Sequence, residues 1–227
     1  MPLVTVTILH YAALARFRAF ANMGRFLMKP IQADGLRFQK LLGSGLNFGL
    51  VPDFSTYVFL GVWEEQAAAR HFFQSDGYRD LQRGTTQVGT LYLQPQRSHG
   101  LWDGQNPFMT TKPEAASSPD PTAPVAVLTR ATIRPRALPD FWRHVPQARQ
   151  RLNDHRNDLV FGIGVGEVPL VQQCTISVWR NPAAVDQYAY RQSGHKEVVR
   201  LTRQRRWYSE ELFARFSVLR IDGQLPA

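Results

Sequence analysis

LVFGIGVGEVPLVQQCTISVW, residues 159–179, decides the fold. Its glycines, Gly162, Gly164 and Gly166, fall at every second position, a spacing that suggests a loop cradling a phosphate. Such a loop needs a helix opening directly after the glycines, because the phosphate rests on that helix N-terminus. Here Pro169 follows, and then LVQQCTISVW, whose β-branched and apolar residues predict a second strand. The glycines therefore belong to one arm of a hairpin, and the nucleotide reading falls. Period-two alternation puts the three glycines on one face, with Phe161, Ile163 and Val165 on the other and Val168 there or in the turn.

The same pattern occurs earlier. Residues 36–63 read LRFQKLLGSGLNFGLVPDFSTYVFLGVW. Both stretches have an apolar strand, a glycine-spaced end, a Val-Pro, and a strand closing on Val-Trp (Val62-Trp63 and Val178-Trp179). Each leads into an alanine-containing helix, EEQAAARHFFQ or NPAAVDQYAYRQ, the second opened by Asn181 as N-cap and Pro182 at the first turn. Each helix then meets a break, Gly77-Tyr78 or Gly194-His195, and resumes before a last strand, GTLYLQPQ or EELFARFSVLR. Upstream, VTVTILHYA matches VAVLTRATI, and LARFRAFANMGRFL matches LPDFWRHVPQARQRL, where Pro146 is expected to cut or kink the helix. The order β-α-β-β-α-β in each half is the split βαβ, ferredoxin-like pattern. The expected class is α+β, with duplicated halves forming a single-chain dimeric α+β barrel. The N-terminal half covers 1–99, a Pro/Ser/Thr-rich linker 100–124, and the C-terminal half 125–227.

The chain has 227 residues, 44% of them hydrophobic, enough for a sizeable core. No run approaches the roughly 20 apolar residues of a membrane-spanning helix, and MPLVTVTILHYA reads as a first strand and not a signal peptide. The single cysteine, Cys174, excludes an internal disulfide and fits a cytoplasmic location. The net charge of +9 points to an anionic partner, but no nucleic-acid signature accompanies it, so nucleic acid is not expected. Residues 13–30 mix Leu14, Phe17, Phe20, Phe26 and Leu27 with Arg16, Arg18, Arg25 and Lys29. That suits either a scaffold helix on the sheet or a helix lying peripherally on the inner face of a membrane.

RFRAFANMG, FQKLLGSG, VLTRATIRPRALPDFWRHVP, FGIGVGEVP and HKEVVRLTRQRRWYSEELFARF together resemble the spheroidene monooxygenase family of bacterial carotenoid ketolases. The resemblance runs over nearly the whole chain outside the linker. It implies a haem b-containing, O2-using monooxygenase acting on a small apolar substrate of acyclic carotenoid type, with electrons from an external donor such as a ferredoxin. Other readings of the same fold are a haem enzyme similar to aldoxime dehydratase, a haem-binding protein without turnover, and a cofactor-free monooxygenase.

Haem iron takes an axial His, Cys, Met or Tyr. The six histidines form no H-x-H, H-x-x-x-H or H-E-x-x-H pair, so one must act alone. His195 is the expected iron ligand: it opens a helix in which Val198, Val199 and Thr202 share its face. Chlorite dismutases, dye-decolourising peroxidases and aldoxime dehydratases, which the barrel resembles, hold haem by a helical histidine of the C-terminal half. Tyr78 matches His195 in the repeat and is the second candidate, with Arg79 beside it. Cys174 reads as a small buried hydrophobe, His144 as a pocket-lining residue, and His99 and His155 as loop residues. Removing side chains at Gly162, Gly164 and Gly166 leaves a slot for a flat macrocycle or a polyene, or else marks a bulge or barrel bend. Arg130, mid-strand in VLTRATI, is the candidate distal or propionate-binding arginine. Trp207, with Arg203, Arg205 and Arg206 before it, completes the expected cofactor contacts, and Lys40 is a further buried-charge candidate.

Overall fold

The computed structural model describes residues 2–46, 51–109, 120–154, 157–188, 202 and 204–226. The N-terminal half runs β1 (Leu3–Tyr11), α1 (Arg16–Met28), β2 (Leu36–Gly45), β3 (Val51–Trp63), α2 (Gln66–Gln74), α3 (Asp76–Gln82) and β4 (Thr85–Gly100). The C-terminal half runs β5 (Val125–Ile133), α4 (Leu138–Asp154), β6 (Leu159–Gly166), β7 (Gln172–Trp179), α5 (Pro182–Asp186) and β8 (Tyr208–Gly223). The strands close into one antiparallel barrel in the order β1-β3-β2-β6-β7-β5-β8-β4. Within it each half keeps the ferredoxin-like order: β4-β1-β3-β2, then β6-β7-β5-β8.

The two seams differ. β2 meets β6 through two residue pairs, Gly43 with Gly166 and Ser44 with Val165. β4 meets β8 along a long ladder from Gly89–Gly223 to Gly100–Leu212, with register shifts at Tyr92/Leu93 and Pro95/Arg97, possible because both strands are 16 residues long. Closing the sheet removes its edges, which would otherwise present unpaired backbone groups.

Alternation sorts each strand into two layers. Val4, Val6 and Ile8 of β1, Leu128 of β5, Phe161 and Val165 of β6, and Ile176 of β7 point inward and form the barrel core. Ile163 packs against the same core, so the glycines of β6 face outward, as alternation predicts. Outside the N-terminal half, Leu9, Phe59, Trp63, Phe72 and Tyr78 pack a second core between sheet and helices. Each such side chain, fully buried, contributes about 1.5–3 kcal/mol.

The repeated Val-Trp is explained by position. Leu3 pairs with Trp63 as Val125 pairs with Trp179. Both indoles are buried on the outward face, and each N–H donates to a neighbouring hydroxyl: Trp63 to Thr5 at 2.8 Å, Trp179 to Ser177 at 2.9 Å. At Gly61 a Cβ would strike the Trp63 indole, so that strand position stays bare.

Three expectations are corrected. α4 runs through Pro146 without a cut. The break in the first half lies at Ser75, extended and capping α3 by accepting from the Tyr78 N–H at 3.2 Å, while Gly77 is helical. Residues 101–109 are not free linker: Trp102 and Phe108 are buried in the barrel core. Residues 110–119 lie outside the described set, as do His155 and the stretch 189–200 with Gly194 and His195.

Candidate functional site

Because the two halves share their register, they can be compared residue by residue on the outward face. Strand β1 carries Thr7 and Leu9 where β5 carries Thr129 and Ala131. Strand β3 carries Tyr57 and Phe59 where β7 carries Gln173 and Thr175. Strand β2 carries Gln39 and Leu41 where β6 carries Gly162 and Gly164. At the centre of the sheet, large side chains of the first half are thus replaced by small ones in the second.

Burial follows the same contrast. Thr7 is 0% exposed and shares a hydrogen bond with Thr90 at 3.0 Å, beneath Phe72 and Tyr78. Thr129, its counterpart in mid-strand, is exposed, and Thr175 and Phe213 beside it are half-buried. Thr129 is thus open to solvent at mid-strand on a face that the first half packs shut, a thinly packed hollow on the sheet that also carries the half-buried Gly162 and the buried Gly164.

Arg215 of β8 lies on this face opposite Val127, in the position Tyr92 holds in the first half. Its Nη2 donates to Asp186 at 3.0 Å, while its Nε is buried without a partner. His99 stacks on Phe213 at 5.1 Å, on the extension of β4 and not in a loop. The signal that marks Arg130 in VLTRATI, an arginine between apolar residues, is present equally in ARF at 214–216.

Gly166 has a different reason. A Cβ there would run into the Gln172 carbonyl oxygen, so the close approach of β6 and β7 at the hairpin excludes any side chain. Leu170, at φ 67°, turns the chain between them.

Arg130 is not on this face. It points into the barrel end, 3% exposed, paired with Cys174 and Leu212 across its neighbouring strands. Its guanidinium is bonded to Glu210, lies 3.6 Å from Asp103 and 3.8 Å from Glu167, and stacks on Trp102 at 5.5 Å. Lys40 joins this group by ion pairs to Asp103 and Glu167. Burial pushes Glu210 up, but hydrogen bonds from the Gly104 and Asp103 N–H groups and from Arg130 outweigh it and hold the carboxyl below its ordinary range. Burial works to lower Lys40, and its bonds to Asp103 and Glu167 reverse the sign. Arg130 and the glycines therefore lie on opposite faces of the barrel wall and cannot serve one pocket.

The other candidates separate as well. Tyr78 fills the first half's outer core; burial raises its hydroxyl more than its bonds to Thr90 and Thr7 lower it, which disfavours a tyrosinate. Arg79 turns away to Asp76. Cys174 is in the barrel core, its thiol pushed up by burial. Trp207 is buried against Ile133 and Ala137 and donates to Asp140 at 2.9 Å, while Arg205 donates to both oxygens of the same carboxylate at 2.7 Å. These two residues fasten α4 to the start of β8 and do not reach the hollow. His144 packs against Trp207, the rings tilted by 48° with centroids 5.2 Å apart. Arg206 is exposed at φ 49°, and Arg203 lies outside the described residues. Among the described residues no group of three His, Cys, Asp or Glu could hold a metal ion, and no helix is long and apolar enough to cross a membrane.

The class defined by this architecture is an α+β barrel of two ferredoxin-like sheets within one chain. A solved aldoxime dehydratase with bound butyraldoxime shares the fold: the TM-score is 0.54 at 10% identity, covering 96% of this chain and 79% of that one. No family model matches the chain. Sequence relatives are closer. The spheroidene monooxygenase of Rhodobacter capsulatus is 34% identical over 191 residues, 83% of this chain and 78% of that protein. That of Rubrivivax gelatinosus is 33% identical over 207 residues, 88% and 77%. That of Cereibacter sphaeroides is 35% identical over 192 residues, but the match spans only 57% of the longer protein. The chain belongs to the spheroidene monooxygenase family and is an oxidoreductase of the monooxygenase type.

Proposed function

We propose that the chain is a haem-dependent, O2-using monooxygenase that hydroxylates an apolar substrate of acyclic carotenoid type. The observation that carries this is the hollow on the outward face of the C-terminal sheet, open at Thr129 where its counterpart Thr7 is sealed.

The residues present fit a haem. Gly162 and Gly164 remove bulk from the sheet, and Phe213 offers an aromatic flank. Arg215, with its unpartnered Nε, would hold a propionate in place of the Arg130 of the sequence reading, since it lies on the correct face. His195, outside the described residues, is the residue that would hold the iron. Haem b, when bound, supplies the O2 activation that side chains alone lack.

The chain's own part is to bind, orient and exclude water. The Thr129 and Thr175 hydroxyls are the polar groups nearest the centre of that face and can order a single water or hold a substrate oxygen. Each hydroxylation converts C–H to C–OH and takes one O2, two electrons and two protons, releasing water. Repetition at one carbon gives a geminal diol, which loses water to a ketone. The electrons require an external donor protein, for which a ferredoxin is suitable.

The shared register further supports reading the halves as a duplicated unit forming a single-chain dimeric α+β barrel, in which one half kept the cavity and the other filled it. The test of function is turnover with an acyclic carotenoid, haem-loaded protein and a ferredoxin reducing system. Oxygenated product carrying label from 18O2 is expected. Product formed without O2, or no product while haem is bound, would contradict the assignment.

A further inference from the structure

Helix α1 presents an apolar face to solvent. Its inward side is ordinary: Ala19 and Asn22 are buried, and Phe26 meets Phe59 edge-on at 6.2 Å. Its outward side should be polar, yet Phe17 is 84% exposed, Leu27 72% and Met28 89%, with Leu14 fully exposed just before the helix. At 100° per residue, Phe17, Phe20, Leu27 and Met28 fall within one third of the helix circumference. Phe20 packs edge-on against Phe54 at 5.7 Å, which joins the exposed Leu46, Val51 and Phe54 of the β2–β3 hairpin to the same patch. The matching helix of the other half gives an internal control. Among the described side chains of α4 the exposed ones are Pro139, Arg143, Pro146 and Gln150, with no large hydrophobic among them.

The charge around the patch has one sign. Arg16, Arg25 and Lys29 are exposed at its borders, and the sequence has no acidic residue before Asp34. Two nearby carboxylates are already engaged: Asp80 with Arg18, and Asp53 with Ser55 and Ser44. An apolar stripe bordered by cations and free of anions suits a surface that is apolar within and anionic at its rim. A second copy of this chain docked face to face would need acidic complements that this face does not itself carry.

We propose that α1, together with Leu46, Val51 and Phe54 beside it, forms a docking surface for an anionic lipid bilayer, with Phe17, Leu27 and Met28 inserting among the acyl chains. The inference uses nothing of the cofactor site. It is tested by co-sedimentation of the full chain with phosphatidylcholine vesicles and with vesicles of phosphatidylcholine and phosphatidylglycerol. Binding is expected on the mixed vesicles, weakened by salt and about tenfold or more weaker on the neutral ones. A combined Phe17→Ser, Leu27→Ser, Met28→Ser variant and a combined Arg16→Gln, Arg25→Gln, Lys29→Gln variant should each lose it at least tenfold, with unchanged melting. All these positions are solvent-exposed, and the charge variant serves should the apolar one fail to fold. Wild-type protein left in the supernatant with both vesicle types would overturn the proposal. So would variants that bind as wild type does, or sedimentation of a dimer that the apolar variant dissociates without any vesicle binding.

Discussion

Arg130 and Gly164 carry opposite lessons about single residues. Arg130 is a guanidinium taken almost wholly out of water and answered by carboxylates from three segments. Arg130→Met is expected to destabilise the chain by about 2–3 kcal/mol in urea titration, below the ~3–5 of a fully buried pair because Glu210 and Asp103 keep some water. Glu210 is held below 4.5 in the folded state, so its contribution is present above that pH and lost as pH falls through the lowered value. The wild-type midpoint should drop on acidification, and Glu210→Gln should flatten that drop; equal acid limbs would contradict the ion group as its source. Gly164→Leu restores the side chain the first half carries at Leu41 and should fill the hollow. Haemin affinity should fall at least tenfold while circular dichroism shows the chain still folded. Gly166→Ala, in contrast, should lower the melting temperature, because its Cβ meets backbone. The outward direction of the glycines was legible from period two alone. That Gly166 serves the hairpin was not, because it depends on where the Gln172 carbonyl comes to rest. Arg130 stood out in sequence as a mid-strand arginine, but neither its burial nor its side of the barrel wall was legible, because alternation does not say which face of a strand is inside.

At the scale of elements, the N-cap was readable and the breaks less so. Asn181 accepts from the Ala184 N–H at 2.9 Å, as the Asn-Pro pair implies. Asn181→Ala should cost about 1 kcal/mol by denaturant unfolding. Gly77 suggests a break because glycine disfavours helix, but Ser75 supplies a better stop through its own capping oxygen. Asp140 ties α4 to Arg205 and Trp207 across a sequence gap of more than sixty residues. Asp140→Ala should lower the melting temperature and shift Trp207 fluorescence to the red as its indole loses its acceptor. The outward face of α1 was ambiguous in sequence, since apolar residues circle the helix; only the packing of Ala19, Asn22 and Phe26 shows which side is left over.

For the whole molecule, the order of strands followed from the internal repeat, while the manner of closure did not. Nothing in the glycine or tryptophan spacing indicates that β2 and β6 share two residue pairs while β4 and β8 share a long ladder. Hydrogen exchange should show this inequality. Amides at Gly43, Ser44, Val165 and Gly166 should exchange faster than those of Leu91 or Leu93, because the short seam opens locally at lower cost. Uniform protection along both seams would mean the barrel opens only as a unit. The central claim is that one half of this barrel keeps a haem cavity which the other half has filled. It is tested most directly by the absorption spectrum of protein expressed with a haem precursor, beside His195→Ala. A strong Soret band that the substitution abolishes or shifts is the predicted result. No band in the wild type, even after haemin titration, would contradict the account.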